Sequence, residues 1–160
     1  MLFRQNYKII DFIIFRRGIV MRKYYCFIIK KEFRDIYMRN SEVLYQTLYN
    51  LYKLKKEDYR IGLSLYNQIC SPFYPEFLID YLKNKYQLKT RKHKYLLQTS
   101  DEKVLVVLKY SCVILISNVN LPAILKVLYL YNKNIFVADF KNHDYFWLTR
   151  EFLKKPMYKK

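Results

Sequence analysis

The sequence predicts a mixed α/β (α+β) domain, a small mixed sheet with flanking helices, carried by one domain over residues 21–150. Three observations lead there. Apolar residues recur at helical spacing in several separate stretches. Short β-branched and aromatic runs of strand length lie between them. Only two Gly and four Pro occur in 160 residues, so polar links join the elements.

In chain order, Lys23–Lys30 is aromatic and β-branched and reads as a first strand buried on both faces. Lys31–Met38 places Phe33, Ile36 and Tyr37 on one helical stripe. Asn40-Ser41 interrupts it, and Ser41 is positioned to cap the next helix, Glu42–Tyr52, which lines up Leu44, Leu48 and Leu51. After the polar break at Lys53–Lys56, Asp58 is the expected cap of a helix presenting Ile61, Leu65 and Ile69. Ser71-Pro72-Phe73-Tyr74-Pro75 ends that helix, because proline lacks a backbone donor, and Pro75 suits the first turn of a short helix through Lys85. Lys92–Thr99 and Val104–Ser117, separated by Ser100-Asp101-Glu102-Lys103, read as an antiparallel hairpin. Asn120 is the expected cap of a helix reaching Tyr131, with Ile124, Leu125 and Leu128 facing the core. Ile135–Phe140 and Tyr145–Thr149 form a closing strand pair around the turn Lys141–Asp144, and the basic tail 151–160 is expected to fray. The main order is β-α-α-α-β-β-α-β-β, with the Pro75–Lys85 helix as a short addition.

Residues 1–20 stand apart. The run from Ile9 to Phe15 contains Asp11, is too short to span a bilayer and lacks a small-residue cleavage site, so neither an anchor nor a signal peptide is expected. Arg16-Arg17-Gly18 is encodable by a purine-rich, ribosome-binding stretch upstream of Met21. Translation is therefore expected to begin at Met21, with the preceding residues a mis-assigned or disordered extension. Without them the chain loses Arg4, Lys8, Arg16, Arg17 and Asp11 and stays strongly basic.

Thirty Lys and Arg against thirteen Asp and Glu give a net charge of +17, a field that draws in polyanions or acidic protein faces. Charge alone suggests nucleic acid, yet no paired Cys/His ligands, Gly-rich clamp or RNP-type aromatic motif accompanies it. An A/T-rich coding sequence accounts for much of the Lys, Ile, Tyr and Asn excess. Cys26, Cys70 and Cys112 are odd in number and lack CxxC spacing, so neither a zinc site nor a disulfide framework is expected; reduced, buried thiols fit a cytoplasmic protein.

Few groups offer chemistry. His93 lies within the cationic Arg91–Lys94 stretch and reads as solvated. His143, near Asp139 and Asp144, has the composition of an acid–base pair but sits in a polar turn, where a surface contact is the ordinary outcome. GxSxG, HExxH and phosphate-cradling Gly loops are all missing from the sequence. No catalytic residue, metal or cofactor is expected. Eighteen tyrosines exceed what one small core holds with every hydroxyl satisfied, so some should be exposed. Exposed aromatics inside a basic rim suit an acidic protein partner.

The stretch Tyr24-Tyr25-Cys26-Phe27-Ile28-Ile29-Lys30-Lys31-Glu32-Phe33, continuing to Tyr37 and Ser41, resembles the opening of the SirA family of sporulation inhibitors of replication. That opening is a Tyr-Tyr strand, an Ile-Lys-x-Glu-Phe junction and a Tyr four residues on. Ala138-Asp139-Phe140 followed by Tyr145-x-Trp147-Leu148 resembles the family's closing strand pair. Departures are the link between Tyr37 and Ser41, one residue shorter than usual, the poorly matching stretch from Phe73 to Lys103, and Phe146 and Thr149-Arg150 in place of a Gly and an Asn-Pro. The resemblance implies a cytoplasmic, non-enzymatic protein of spore-forming Gram-positive bacteria. Its partner would be the N-terminal domain of the replication initiator DnaA, which it would block. The implied contact residues are Phe33 and Tyr37, with Tyr66 matched through the Pro72 that follows it; Lys30, Lys31 and Arg34 would steer the approach. No small-molecule substrate and no membrane enter this reading. A basic DNA-binding regulator is the rival, and a membrane-surface protein a third reading.

Overall fold

A computed structural model describes residues 21–154 apart from Lys92. Residues 1–20, the expected extension, and the last six of the tail lie outside the described residues.

The elements are β1 (Arg22–Ile29), α1 (Lys31–Arg39), α2 (Ser41–Lys53), a 3₁₀ turn (Lys56–Asp58), α3 (Tyr59–Ile69), β2 (Cys70–Ser71), α4 (Pro75–Lys85), β3 (Leu88–Arg91), β4 (Lys94–Gln98), β5 (Lys103–Leu108), β6 (Val113–Ser117), α5 (Ile124–Tyr131), β7 (Ile135–Asp139), β8 (Asp144–Trp147) and α6 (Arg150–Lys154). The strands form one eight-stranded sheet in the order β3-β4-β5-β6-β1-β7-β8, with β2 paired to β1 alone. β1 lies inside it, paired with β6 along Arg22–Cys26, with β7 along Tyr25–Ile28 and with β2 at Ile28 and Ile29.

Because side chains alternate along a strand, β1 feeds two cores. Tyr25, Phe27 and Ile29 join Ile114, Ile116, Phe136 and Trp147 under Leu44, Leu48 and Leu51 of α2 and Tyr66 and Ile69 of α3. Tyr24, Cys26 and Ile28 join Val106, Leu115 and Val137 under Leu78 and Leu82 of α4 and Leu125 and Leu128 of α5. The sheet is thus the middle layer of three, as a strand run buried on both faces requires.

The mixed α/β class and the single body agree with the sequence reading; several details differ. Every described strand pairing is antiparallel, where mixed directions were expected. The long run Val104–Ser117 is two strands, broken where the polar Lys109-Tyr110-Ser111 lets Lys109 N–H donate to the Cys112 carbonyl at 3.0 Å. An edge strand, β3, precedes the expected hairpin; its Leu-Lys-Thr-Arg sequence carries little apolar pattern because it borders solvent. Asn120 does not cap α5, which begins three residues beyond the left-handed Leu121 (φ 52°). A short helix, Arg150–Lys154, runs into the tail expected to fray from residue 151, with Phe152 stacked on Phe146 at 4.4 Å between centroids.

Candidate functional site

β1 delivers the chain to α1 through Lys30. Its N–H donates to the Ile69 carbonyl at 2.9 Å, and its Nζ donates to the Asn67 carbonyl at 2.6 Å, tying the start of α1 to the end of α3. α1 itself has no fully buried residue. Phe33 and Tyr37, one helical turn apart, are half-buried against the rim of the first core, their rings 6.4 Å apart. Ile36 and Met38 on the same helix are 57% and 38% exposed. An apolar stripe that a buried helix would hide here lies at the surface, with both rings neither entombed nor free.

Ser41 holds the far end. It is the first residue of α2 rather than its cap, and it acts on the preceding helix instead: Oγ donates to the Tyr37 carbonyl at 3.2 Å and accepts from Trp147 Nε1 at 3.0 Å. Asn40 N–H donates to the same Tyr37 carbonyl at 3.2 Å, and its Nδ2 to that of Ile36. The helix end therefore satisfies its otherwise unpaired carbonyls through Asn40 and Ser41, the latter tied to β8 by Trp147. The Ser41–Trp147 bond sets where Tyr37 stands. Asp58 likewise makes no side-chain capping bond to α3.

Of the six expected partner residues, Lys31 is exposed, and Phe33, Tyr37, Lys30 and Arg34 are half-buried. Arg34 is half-buried, with Nη1 3.8 Å from the exposed Asp35 carboxylate, and Lys30 is committed to α3, so their charge reaches a partner only as field. Tyr66 is corrected. It is 1% exposed, in the first core, and its hydroxyl donates toward the carbonyls of Ser111 (2.8 Å) and Ser71 (3.3 Å). Burial drives its phenol pKa far upward. Its ring closes the gap between α3, β2 and the β5–β6 turn and offers nothing to a partner. The buried face of α3 is Gly62, Tyr66 and Ile69, so Ile61, Leu63 and Leu65 face outward. Sequence reasoning missed these exposed apolar side chains because the Ile61-Leu65-Ile69 spacing matches a core stripe equally well.

The His–Asp arrangement does not assemble. Asp139, 1% exposed, forms an ion pair with Arg22, whose Nε lies 3.1 Å away, and accepts from Asn142 N–H and Nδ2 at 3.1 and 2.7 Å. His143, in left-handed backbone (φ 52°), instead places Nδ1 3.3 Å from the Tyr45 hydroxyl and its ring edge against Tyr49. Tyr45 in turn stacks on Tyr145 at 5.0 Å, and burial raises its pKa. This network fastens the β7–β8 turn to α2. His93 is exposed, and its carbonyl accepts from Leu108 N–H.

All three cysteines are buried and unpaired; burial pushes the Cys112 thiol up to about 12 and raises Cys26 and Cys70 as well. Among the described residues, no three His, Cys, Asp or Glu side chains group as a metal site would need. Among them also, no helix is long and apolar enough to cross a membrane. The chain matches no protein-family model, and no curated protein matches it.

Proposed function

We propose that the chain is a non-enzymatic inhibitor that acts by occupancy, docking α1 onto the N-terminal domain of the bacterial replication initiator DnaA during sporulation. The observation that carries the reading is α1: a helix with no buried residue, bearing Phe33 and Tyr37 half-exposed beside exposed Ile36 and Met38. Aromatic rings held at a rim bury large area on docking at little entropic cost, which is how interface anchors work. The outward apolar side chains of α3 extend the same kind of surface. The strong positive charge, to which Lys31 contributes, speeds encounter with an acidic face.

The site of action is the cytoplasm, where the initiator works and where thiols stay reduced. The test is capture of purified, isolated DnaA N-terminal domain on the immobilised chain without DNA. Retention that is lost on replacing Phe33 and Tyr37 by alanine supports the reading. Failure of the folded wild-type chain to retain the domain rejects it.

A further inference from the structure

We propose that the groove between α5 and α6, on the opposite face of the sheet from α1, docks an acidic amphipathic helix of a protein partner. The two helices present the same spacing to it. Lys126, Tyr129 and Leu130 of α5 stand at i, i+3 and i+4, and so do Arg150, Leu153 and Lys154 of α6. Between these rows lies an open groove of about 290 Å³, lined by those six side chains. Its floor is apolar: Tyr129 and Leu153 are half-buried against the second core, and Leu130 is 53% exposed. Its rim is cationic, with Lys126, Arg150 and Lys154 all exposed. Phe33 and Tyr37 pack on the first core, so the sheet separates this groove from the α1 surface.

The charge of the rim is uncompensated. Ion pairs among the described residues join Arg22 and Arg34 to Asp139, Asp144 and Asp35, and none reaches Lys126, Arg150 or Lys154. Lys126 sits in the first turn of α5, which has no acidic residue there and where the helix dipole opposes a cation. Lys133 adds a further charge beside the groove, its Nζ 3.8 Å from the centroid of the Tyr129 ring. Glu151 of α6 is exposed and does not line the groove. Residues 155–160 add Lys155, Lys159 and Lys160 and no acid. Scattered surface lysines need no explanation. Cations ringing an apolar recess do, because the recess stays in water until something apolar fills it.

An occupant must bring an apolar side chain for the floor and carboxylates for the rim. A phosphate backbone has the charge but no aliphatic group, and a flat bilayer takes up projecting apolar side chains, not a recess. Both walls are helices, whose backbone groups bond within themselves, so an incoming strand would find no edge to pair with. A helix satisfies its own backbone and carries an apolar stripe flanked by acids at the matching i, i+3, i+4 spacing. Arg150 is able to hold a carboxylate through two parallel hydrogen bonds, which fixes the orientation of approach. Occupation of this groove leaves α1 free, so the chain can hold two partners at once.

Fluorescence anisotropy on the full chain, at physiological ionic strength, tests this with two labelled helical peptides of equal charge. One is built of glutamate and alanine with a stripe of leucines; in the other, alanine replaces every leucine. The wild-type chain should bind the leucine peptide about tenfold or more tightly than the alanine peptide, as burial of one leucine side chain implies. Leu130→Gln should bring the two affinities close together. Lys126→Gln/Arg150→Gln/Lys154→Gln should weaken both by about tenfold. A control with equal charge loss elsewhere, Lys55→Gln/Lys56→Gln/Lys141→Gln, should bind the leucine peptide nearly as wild type does. So should Phe33→Ala/Tyr37→Ala, which separates this groove from the α1 reading. Circular dichroism establishes that each variant is folded, and the comparison of peptides on the wild-type chain stands without any variant. Equal affinity for the two peptides or an equal loss in the control would overturn the proposal. So would displacement of the bound peptide by phosphatidylglycerol vesicles or duplex DNA as readily as by unlabelled peptide.

Discussion

Replacing Tyr66 by phenylalanine separates a role in the fold from a role at the surface. The ring stays, its packing in the first core stays, and one hydroxyl disappears. That hydroxyl reaches the Ser111 carbonyl at 2.8 Å and the Ser71 carbonyl at 3.3 Å, joining the β5–β6 turn to β2 beneath α3. A buried hydrogen bond contributes about 0.5–1.5 kcal/mol net, and an acceptor left without its donor costs about 1–3 kcal/mol. The Ser111 bond is the shorter of the two, so the expected loss is about 1–2 kcal/mol. For a chain of this length that lowers the melting temperature by roughly 3–8 °C. Tyr66→Ala, which also opens a cavity, should cost about 3–5 kcal/mol. Thermal and urea unfolding followed by circular dichroism measure both. Once folded, the Tyr66→Phe chain should hold the DnaA N-terminal domain as tightly as wild type. A Tyr66→Phe chain of unchanged stability that no longer binds the domain would refute the placement of this ring.

Ser41→Ala removes the acceptor of Trp147 Nε1 and the donor to Tyr37; it should destabilise by about 1–3 kcal/mol and shift the emission of this single tryptophan. Burial raises the phenols of Tyr45, Tyr66, Tyr86 and Tyr95 above their ordinary value. The folded state therefore holds these protons more tightly than the unfolded chain. Their contribution is complete below the unfolded phenol pKa of about 10 and is lost as pH climbs past it. Lys109, lowered by burial, has the opposite sign, since its penalty fades in alkali. The tyrosinate absorbance of these four should accordingly appear together with alkaline unfolding, and a spectrum in which all eighteen tyrosines ionise before the chain unfolds would contradict it. A thiol reagent at neutral pH should label none of the three cysteines in the native protein and all three in denaturant, because each is buried and held protonated. Rapid labelling of the native chain would show that Cys70 or Cys112 is reachable.

The sequence was most readable where pattern and environment agree. Tyr24 to Ile29 is apolar on both faces because it is the inner strand of a three-layer body, and Leu44, Leu48 and Leu51 are a helix stripe with one side to hide. It was least readable where one pattern serves two environments. On α3, Ile61, Leu65 and Ile69 have the spacing of a core stripe, yet the tertiary contacts bury Gly62, Tyr66 and Ile69. Spacing reports that residues share a side of a helix, not which side meets the sheet. Ser41 and Asp58 have cap chemistry, but Ser41 turns backward to Tyr37 and Trp147, a partner 106 residues away that no local reading supplies. Helical spacing placed Phe33 and Tyr37 together on α1; their half-burial came from how little of that helix the sheet covers.

The most direct test is calorimetric titration of the purified DnaA N-terminal domain into the wild-type chain, Phe33→Ala and Tyr37→Ala, alongside the unfolding curve of each. Half-buried rings should give both variants a cooperative unfolding transition, weakened by less than the binding energy they lose. The domain should bind wild type and lose about 2 kcal/mol or more, roughly thirtyfold in Kd, with either variant. Undiminished affinity in both folded variants, or no binding by the folded wild type, would contradict the account.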